Sequence, residues 1–385
     1  MKKKLLFING HLNAGGVEKS LVDVLRNLDY DRFEVDLLLL EGLGDYAHLL
    51  PKQVRVIARP LHNTYGSLTG ALMRCIRERD WFGLRMRLIF LCMKLFGQRH
   101  IRLAKGLLPG DRHYDCVIGF RPGICTQIAA FAADADRRIT WWHHGEINVS
   151  RQSYAEAALA CDAVAVVSDA CRAMLAQEFP ELQDRQVTVP NMLDVQDILE
   201  RAGAHTPYSD RSVWHIVSVG RLAPEKHFQN IVHAAARLKE RKIRFCWHLV
   251  GDGPERSTLE ALAREQHVAD CLLFEGSQSN PYPYFRHADL FVHPSYVESF
   301  GIVVLEAMSM GVPCVVTHSL GPEEFIDHEK NGLLTAKSPE ALAEAVLRIL
   351  EDRTLYDSIK AITRCPERYL TERVAEQFEN LLLDD

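Results

Sequence analysis

The chain has 385 residues, a length that suits two domains of about two hundred residues each. Hydrophobic residues make up 47% and charged residues 25%, which is a globular composition and excludes a disordered or fibrous chain. The formal net charge of −6 is unlike the basic balance of a general nucleic-acid binder. The ten cysteines include no CxxC pair, so the sequence indicates no zinc site, and in so long a chain they do not look like a disulfide framework. A reducing cytosol is the expected location.

The amino terminus begins MKKKLLFI, like a signal peptide, but this apolar run is too short and polar Asn9 follows it. No stretch reaches the roughly eighteen apolar residues that a membrane helix needs. The sequence therefore predicts a soluble intracellular protein.

Short β-type segments alternate with helical patterns along the whole chain. Strands are predicted at 4–9, 33–40, 115–119, 138–142 and 163–168, and in the second half at 213–220, 245–251, 271–276, 290–293 and 313–317. Helices are predicted at 17–28, 227–241, 255–266 and 300–310. Several strands are apolar throughout, as in parallel sheets that helices cover on both faces. The alternation predicts an α/β fold with two units of similar size.

The segment 201–211 has no periodicity and contains Gly, Pro, Ser and Asp, so it is the predicted linker between the domains. The expected domains are 1–203 and 204–365. A ligand shared by two doubly wound sheets would lie between them, at the carboxyl ends of the strands.

The segment 70–105 departs from the average charge, with nine basic residues against Glu78 and Asp80, a net charge of +7. Apolar residues interleave the bases: Trp81, Phe82, Met86, Ile89, Phe90, Leu91 and Phe96. Two interpretations stay open. One is a basic amphipathic element on an anionic membrane surface, and the other is a core helix pair with a solvated basic face.

The first predicted strand runs into a loop with glycines, GHLNAGGVEKS at 10–20, which leads into a helix. Glycines at such a turn let backbone N–H groups approach a ligand, and a helix N-terminus favours a phosphate. The spacing is neither GxGxxG nor GxxxxGK[ST], since Glu18 precedes Lys19. A phosphate-binding loop and a tight turn without a ligand both remain open.

Arg221 and Lys226 follow a buried strand and precede a helix. Both cations can therefore reach one anion at the carboxyl edge of the sheet. Arginine offers a bidentate fork and lysine a point charge, a pair that suits a diphosphate. The alternative is two ordinary surface cations.

The segment HPSYVESFGIVVLEAMSMGVP at 293–313 places Glu298 just ahead of a helix that is expected to start at Ser299 or Phe300. Glu306 would lie two turns inside, roughly 12 Å further along the axis. Such a pair can grip two parts of one long ligand, and the free N–H groups near 299–301 can meet a phosphate. The alternative is that Glu306 is an ordinary surface residue.

His143 and His144 follow a predicted strand at its carboxyl end. A histidine there can donate a hydrogen bond to a substrate or its leaving group, and a structural role is the alternative. Two Asp-x-Asp patterns, at 29–31 and 134–136, lie in polar turns and are rejected as a metal site.

Together these residues resemble the GT-B glycosyltransferases of the retaining family 4, the glycogen-synthase-like group. In the second half the resemblance is carried throughout, by GRLAPEK at 220–226, LVGDGPE at 249–255, the Glu-x7-Glu segment at 293–313, GPEE at 321–324 and NGLL at 331–334. In the first half it is carried by Gly15-Gly16, WHHG at 142–145 and PNMLD at 190–194.

The resemblance implies two Rossmann-like, doubly wound domains facing across a cleft, with a C-terminal helix at 366–385 crossing back to the first. It also implies a nucleoside-diphosphate sugar donor, retention at the anomeric carbon, no cofactor and no obligatory metal.

The resemblance also implies a role for each site residue. Arg221 and Lys226 would neutralise the diphosphate, and Glu306 would hold the ribose hydroxyls. The donor sugar would be held by Glu298 with backbone groups of Ser299, Phe300 and Gly301. Gly16 would contact the diphosphate, and His144, which matches better than His143, would lie near the reacting sugar.

The expected function is a retaining, metal-independent hexosyltransferase, and a UDP-sugar is favoured over a GDP-sugar as the identity of its donor. The expected acceptor is a hydroxyl of a glycan or a lipid-linked intermediate in surface polysaccharide assembly. The expected location is cytoplasmic or peripheral on the inner face of the cell membrane, without nucleic acid as partner. The alternatives are a GT-B sugar-nucleotide epimerase and a non-catalytic GT-B partner subunit.

Overall fold

A computed structural model describes residues 2–13, 15–61, 64, 66–107, 113–147, 149–210 and 212–383. The chain divides into two compact units. The first is Met1–Met192 together with Val374–Asp385, and the second is Leu193–Arg373.

Within the described residues the first unit contains a sheet of seven parallel strands in the order β3-β2-β1-β4-β5-β6-β7. Its strands are β1 (Lys3–Asn9), β2 (Phe33–Leu39), β3 (Arg55–Ala58), β4 (Tyr114–Gly119), β5 (Ala135–Trp142), β6 (Ala163–Val166) and β7 (Gln186–Thr188). Its helices are α1 (Gly16–Arg26), α2 (Leu68–Arg77), α3 (Trp81–Phe96), α4 (Ile124–Phe131), α5 (Arg151–Ala158) and α6 (Asp169–Glu178). Short 3₁₀ helices lie at Asp45–Leu49, Gln98–Leu107 and Pro180–Arg185.

The described part of the second unit contains a sheet of six parallel strands in the order β10-β9-β8-β11-β12-β13. Its strands are β8 (Trp214–Val219), β9 (Phe245–Val250), β10 (Leu272–Gly276), β11 (Leu290–His293), β12 (Cys314–Thr317) and β13 (Leu333–Thr335). Its helices are α7 (Val195–Ala202), α8 (Gln229–Glu240), α9 (Arg256–Glu265), α10 (Tyr282–His287), α11 (Ile302–Ser309), α12 (Pro339–Glu351) and α13 (Arg353–Ile362). Its 3₁₀ helices lie at Pro224–Lys226, Pro322–Glu324 and Glu367–Tyr369.

Helix α14 (Thr371–Leu383) ends the described chain, and from Val374 onward it belongs to the first unit. Its Phe378 ring packs against Phe7 of β1 and Trp141 of β5, with centroid distances of 6.2 and 5.2 Å. Residues 384 and 385 of the predicted C-terminal helix lie outside the described residues.

The prediction of an α/β fold with two parallel sheets is confirmed. All ten predicted strands are present, with small differences in their bounds. The prediction did not include β3, β7 and β13, three short strands that each lie at the edge of a sheet.

The predicted linker at 201–211 lies inside the second unit, because the chain passes between the units at Met192. The Asn280 amide donates to the Arg201 carbonyl over 2.8 Å, which ties α7 to the segment just before α10. The Tyr208 ring stacks on His215 of β8 at 4.3 Å. These contacts place the segment on the second sheet, so the boundary predicted after residue 203 lies too late. Arg211 lies outside the described residues.

None of the described helices is both long and apolar enough to cross a membrane.

Candidate functional site

The strand order of the second sheet changes direction between β8 and β11, which lie side by side. Chain connections leave this point toward opposite edges of the sheet, so a crevice opens at the carboxyl ends of the two strands. In doubly wound sheets ligands bind at this position. The loops that follow β8 and β11 carry Arg221, Lys226 and Glu298.

Close backbone packing fixes the loop that carries Arg221. A Cβ atom on Gly251 would lie 1.9 Å from the Gly220 carbonyl oxygen, and one on Gly253 would lie 2.3 Å from that of Leu222. Only glycine permits these approaches. Backbone N–H groups of Leu222 and Glu255 complete the contact with 3.0 Å hydrogen bonds. The exposed Arg221 side chain is therefore presented from a rigid loop at the sheet edge.

Lys226 and Glu298 form an ion pair, with 2.6 Å between Nζ and Oε2. The His293 Nε2 atom lies 3.2 Å from the same oxygen, and this histidine is buried at the end of β11. Burial alone would raise the pKa of Glu298, but Lys226 and His293 hold that pKa well below its usual range. Burial lowers the pKa of His293, and Glu298 opposes that shift. At neutral pH Glu298 is thus a carboxylate, which accepts hydrogen bonds from Lys226 and from His293 Nε2.

The backbone between Glu298 and α11 turns sharply at Gly301, whose φ is +86°. Helix α11 begins at Ile302 rather than at Ser299 or Phe300 as predicted. The Phe300 side chain is buried and packs edge-on against Tyr369 at 5.3 Å, so only its backbone is available to a ligand. A Cβ on Gly321 would lie 2.3 Å from the Phe300 Cα, so the backbone of the GPEE loop at 321–324 packs directly against this turn.

Glu306 lies just over one turn inside α11, not two, because the helix starts later than predicted. It is only 4% exposed, so the surface alternative is wrong. The Tyr282 hydroxyl donates to Glu306 Oε1 over 3.2 Å. Tyr282 was not among the predicted residues, and the sequence around it gives no signal beyond its aromatic character.

The first sheet changes direction between β1 and β4. The glycine loop follows β1, and α1 begins at Gly16 with Gly15 as its N-cap. A Cβ on Gly15 would lie 2.5 Å from a Glu18 carboxylate oxygen, whereas one on Gly16 would meet no atom within 4 Å. Gly16 therefore faces open space, as a position that admits a ligand should. Ala14 of the predicted loop lies outside the described residues.

A charged cluster that was not predicted lies at the same edge. Glu18 is 4% exposed, and its Oε1 lies 3.3 Å from Arg121 Nη1 and 3.6 Å from His11 Nδ1. Arg121 lies two residues after the end of β4, so the segments that follow β1 and β4 meet through this ion pair. The sequence signal that could have predicted this residue is a charged side chain just after a central strand, in FRPG at 120–123.

The two histidines after β5 differ in their surroundings. His143 is buried, and its ring stacks on Trp141 at 5.5 Å and packs on Phe120 at 4.7 Å. Its burial, together with His144 and Arg121, holds its pKa well below the ordinary value. His144 is half-buried, and burial and Arg121 lower its pKa to about 4. Both rings are therefore neutral at pH 7, and His144 is the more accessible.

These two histidines predict acid sensitivity of the first unit. Since the unfolded chain takes up protons near pH 6.5 and the folded rings do not, stability is lost as pH falls from about 6.5 toward about 4. His144→Asn should reduce the change in the free energy of unfolding with pH by at most about 1.4 kcal/mol per pH unit. Urea unfolding at several pH values between 7 and 4.5 measures this pH dependence of the free energy of unfolding. His205→Asn, at an exposed histidine, is the control, and equal slopes for His144→Asn and wild type would contradict the assignment.

The Asp-x-Asp patterns make local contacts. Asp29 Oδ1 accepts from the Asp31 N–H at 2.9 Å, and Asp134 accepts from Lys105 at 3.1 Å. In the part of the chain that the structure describes, no group of three acidic, histidine or cysteine side chains is arranged to hold a metal ion.

Comparison with known proteins bears on the second unit. Residues 209–364 match the family described as glycosyl transferases group 1. The matched residues lie within the second unit. The match contains Arg221, Lys226, Glu298 and Glu306, the residues at the second switch point.

Two curated relatives each match less than half of the chain. The chain is 31% identical over 172 residues to N-acetyl-alpha-D-glucosaminyl L-malate synthase of Bacillus anthracis, covering 44% of this chain and 45% of that protein. It is 35% identical over 158 residues to the lipopolysaccharide core biosynthesis glycosyltransferase LpsE of Rhizobium meliloti, covering 41% and 44%. The match thus spans about half the length of these relatives.

Solved structures match over the full length. HepE of Anabaena, in complex with UDP, has a TM-score of 0.71 at 19% identity and covers 99% of this chain and all of that one. WaaG, a glycosyltransferase involved in lipopolysaccharide biosynthesis, has a TM-score of 0.65 at 17% identity, covering 99% of this chain and all of that one. At such identities the likeness concerns the fold, which is the GT-B fold.

Proposed function

We propose that this protein is a retaining glycosyltransferase of family 4. It moves a hexose from a nucleoside-diphosphate sugar to a hydroxyl of a glycan or a lipid-linked intermediate in surface polysaccharide assembly. The observation that carries the proposal is the Lys226–Glu298 ion pair at the second switch point, with Arg221 on the same loop as Lys226, inside a glycosyl transferases group 1 region. Three HepE structures hold UDP, UDP with glucose, or UDP-glucose, which supports UDP over GDP as the nucleotide of the donor.

We assign the diphosphate to Arg221 and Lys226. The difficult step is departure of a nucleoside diphosphate from an oxocarbenium-like sugar, and preorganised cations stabilise the charge that develops on it. Arg221 is held on a loop that backbone packing makes rigid, and Lys226 stands on the 3₁₀ helix five residues later. Two fixed cations can do what a bound metal ion does elsewhere, so no metal and no cofactor is required.

We assign the donor sugar to Glu298 with the backbone of Ser299, Phe300 and Gly301. The ion pair with Lys226 and the His293 contact keep Glu298 ionised, so it acts as a hydrogen-bond acceptor and not as an acid. No protein nucleophile is assigned, because front-face attack by the acceptor hydroxyl needs none.

Glu306 is assigned to the ribose hydroxyls. It is a buried carboxylate whose Oε1 is engaged by Tyr282, which orients the side chain. A carboxylate held in this way accepts hydrogen bonds from two neighbouring hydroxyl groups with little loss of side-chain entropy.

In the first unit we assign contacts with the diphosphate to Gly16 and with the reacting sugar to His144. The open space at Gly16 admits a ligand at the N-terminus of α1. His144 is neutral at pH 7, so it acts as a hydrogen-bond donor rather than a proton source. We place the protein in the cytoplasm, which the ten free cysteines support.

The test is a screen of nucleotide sugars for slow hydrolysis by the purified protein, with and without EDTA. We expect turnover of a UDP-sugar, free sugar and UDP as products, and the same rate in EDTA. If EDTA abolishes turnover and magnesium restores it, the metal-independent mechanism is wrong. An isomerised sugar nucleotide as product would show an epimerase, and nucleotide binding without turnover of any donor, with or without glycan acceptors, would show a non-catalytic subunit.

A further inference from the structure

Helix α3 is apolar on two opposite faces. Its buried face carries Met86, Ile89 and Met93, which pack in the core of the first unit. On the other side Trp81 is 65% exposed, Leu88 48% and Leu95 63%. Steps of seven residues return to within about 20° of the same direction, so these three form one stripe. A helix of a globular protein normally presents polar residues there.

The elements packed against α3 also expose apolar side chains. Helix α2 adds Met73 and Ile76, and the 3₁₀ helix Gln98–Leu107 adds Leu103, all more than half exposed. Eight of the fourteen exposed large hydrophobic side chains in the described chain lie between residues 68 and 103. Such clustering marks an interaction site and not ordinary surface. We name the exposed side chains of α2, α3 and this 3₁₀ helix the α2–α3 surface.

Basic residues accompany the α2–α3 surface. Exposed bases occur at Arg77, Arg79, Arg85, Lys94 and Arg102. The two acids are already engaged, since Glu78 pairs with Arg77 at 3.1 Å and Asp80 accepts from the Gly83 N–H at the start of α3. A second copy of the chain would bring the same positive charge to this surface, and like charges would repel.

We propose that the α2–α3 surface docks on an anionic lipid membrane. The exposed bases would contact the lipid headgroups, and Trp81, Leu88, Leu95 and Phe96 would reach the acyl boundary. Both interpretations of the segment 70–105 then hold for different faces of α3: one face packs in the core, and the other carries the docking residues. The proposal goes beyond sugar transfer and does not depend on the donor chemistry.

Several residues of the basic segment are held by contacts with the rest of the protein. Phe82 and Phe90 pack against the core of the first unit. The Arg87 guanidinium donates to the Gly66 carbonyl over 2.9 Å, and Arg99 pairs with Glu156 at 2.7 Å. Because these side chains are engaged in contacts within the protein, they are unsuitable for testing the surface.

Trp81 supplies a direct reporter. Trp141, Trp142 and Trp247 are fully buried and Trp214 is half-buried, so a change in tryptophan emission on docking comes from Trp81. We expect a blue shift with vesicles of phosphatidylglycerol and phosphatidylcholine in equal parts, and little shift with phosphatidylcholine alone. Trp81→Phe should still co-sediment with the mixed vesicles but lose the shift. Co-sedimentation of wild type without a shift would overturn the placement of Trp81 at the lipid.

Charge variants with a matched control test the headgroup contacts. Arg77, Arg85, Lys94 and Arg102 together replaced by Gln should lower the partition onto mixed vesicles by up to about a thousandfold. The control replaces four exposed bases of the second unit, Arg241, Arg264, Lys330 and Arg364, by Gln and should bind vesicles like wild type. Binding should also weaken with salt, because attraction fades within a Debye length of about 10 Å at 0.1 M.

Circular dichroism and urea unfolding of every variant verify that the protein remains folded. An empty vesicle pellet for wild type at low salt would overturn the proposal. Equal loss of binding in both charge variants would do so as well, as would equal binding to neutral vesicles. A wild-type dimer in solution that becomes monomeric in Leu88→Gln would show that a second copy, not a membrane, covers the surface.

Discussion

Replacing Lys226 by Ala is expected to lower kcat/KM by two to three orders of magnitude, about 3–4 kcal/mol of transition-state stabilisation. Two losses combine. The developing diphosphate loses a charge-assisted contact, and Glu298 loses the cation 2.6 Å from its carboxylate. Burial raises the pKa of Glu298, and without Lys226 only His293 still lowers it. The pKa of Glu298 should therefore rise in this variant. The variant should also be less stable by up to about 3 kcal/mol, since one partner of a largely buried ion pair is missing.

Arg221→Ala is the informative comparison. Arg221 is exposed and lies outside the Lys226–Glu298 pair, so its removal should leave the stability of the second unit almost unchanged. We expect kcat/KM to fall by about two orders of magnitude through the loss of a diphosphate contact alone. Steady-state kinetics with the donor identified by the screen, together with urea unfolding, separates the two variants. Lys330→Ala, an exposed lysine of the same unit, should leave both quantities unchanged. Wild-type kcat/KM in both Arg221→Ala and Lys226→Ala would refute the diphosphate assignment.

The central strands were predictable from sequence because they are buried on both faces and therefore read as continuous apolar runs. β1 and β11 are examples, with LLFI and LFVH buried throughout. The edge strands carry a weaker signal. β3 is only partly covered, and β7 and β13 have three residues each, so neither composition nor length separates them from loops.

The residue types of the candidate site were predictable, but their pairings were not. Lys226 and Glu298 are 72 residues apart in the chain, and only the adjacency of β8 and β11 brings them together. Arg121 and His11 are 110 residues apart and meet because β4 lies beside β1. Motif spacing describes what lies within one loop. Contacts between loops depend on strand order, which no local pattern of this chain encodes.

The exact start of α11 was also beyond local reasoning. Ser299 is a good N-cap residue, so the pattern favours a start there. In the structure Gly301, with φ +86°, is the residue that precedes the helix. Packing of Phe300 against Tyr369 and close approach of Gly321 hold the turn in that form. A tertiary contact therefore overrides the local capping preference.

The two glutamates are expected to separate nucleotide binding from sugar turnover. Glu306→Gln should weaken UDP binding by about tenfold to a hundredfold, because an uncharged amide replaces the acceptor of the ribose hydroxyls. The fold should be spared, since the amide oxygen of Gln can still accept from the Tyr282 hydroxyl. Glu298→Gln should leave UDP affinity within about threefold and reduce kcat with the UDP-sugar by about a hundredfold.

Calorimetry with UDP measures the first effect, and steady-state kinetics with the donor sugar measures the second. Glu323→Gln, at an exposed glutamate of the second unit, should change neither. The separation follows from their surroundings: Glu298 is tied to Lys226 and His293 in the loop after β11, whereas Glu306 lies inside α11 beside Tyr282. Equal loss of UDP affinity in both variants would break the assignment. It would mean that Glu298 and Glu306 both bind the nucleotide, and that Glu298 does not face the sugar.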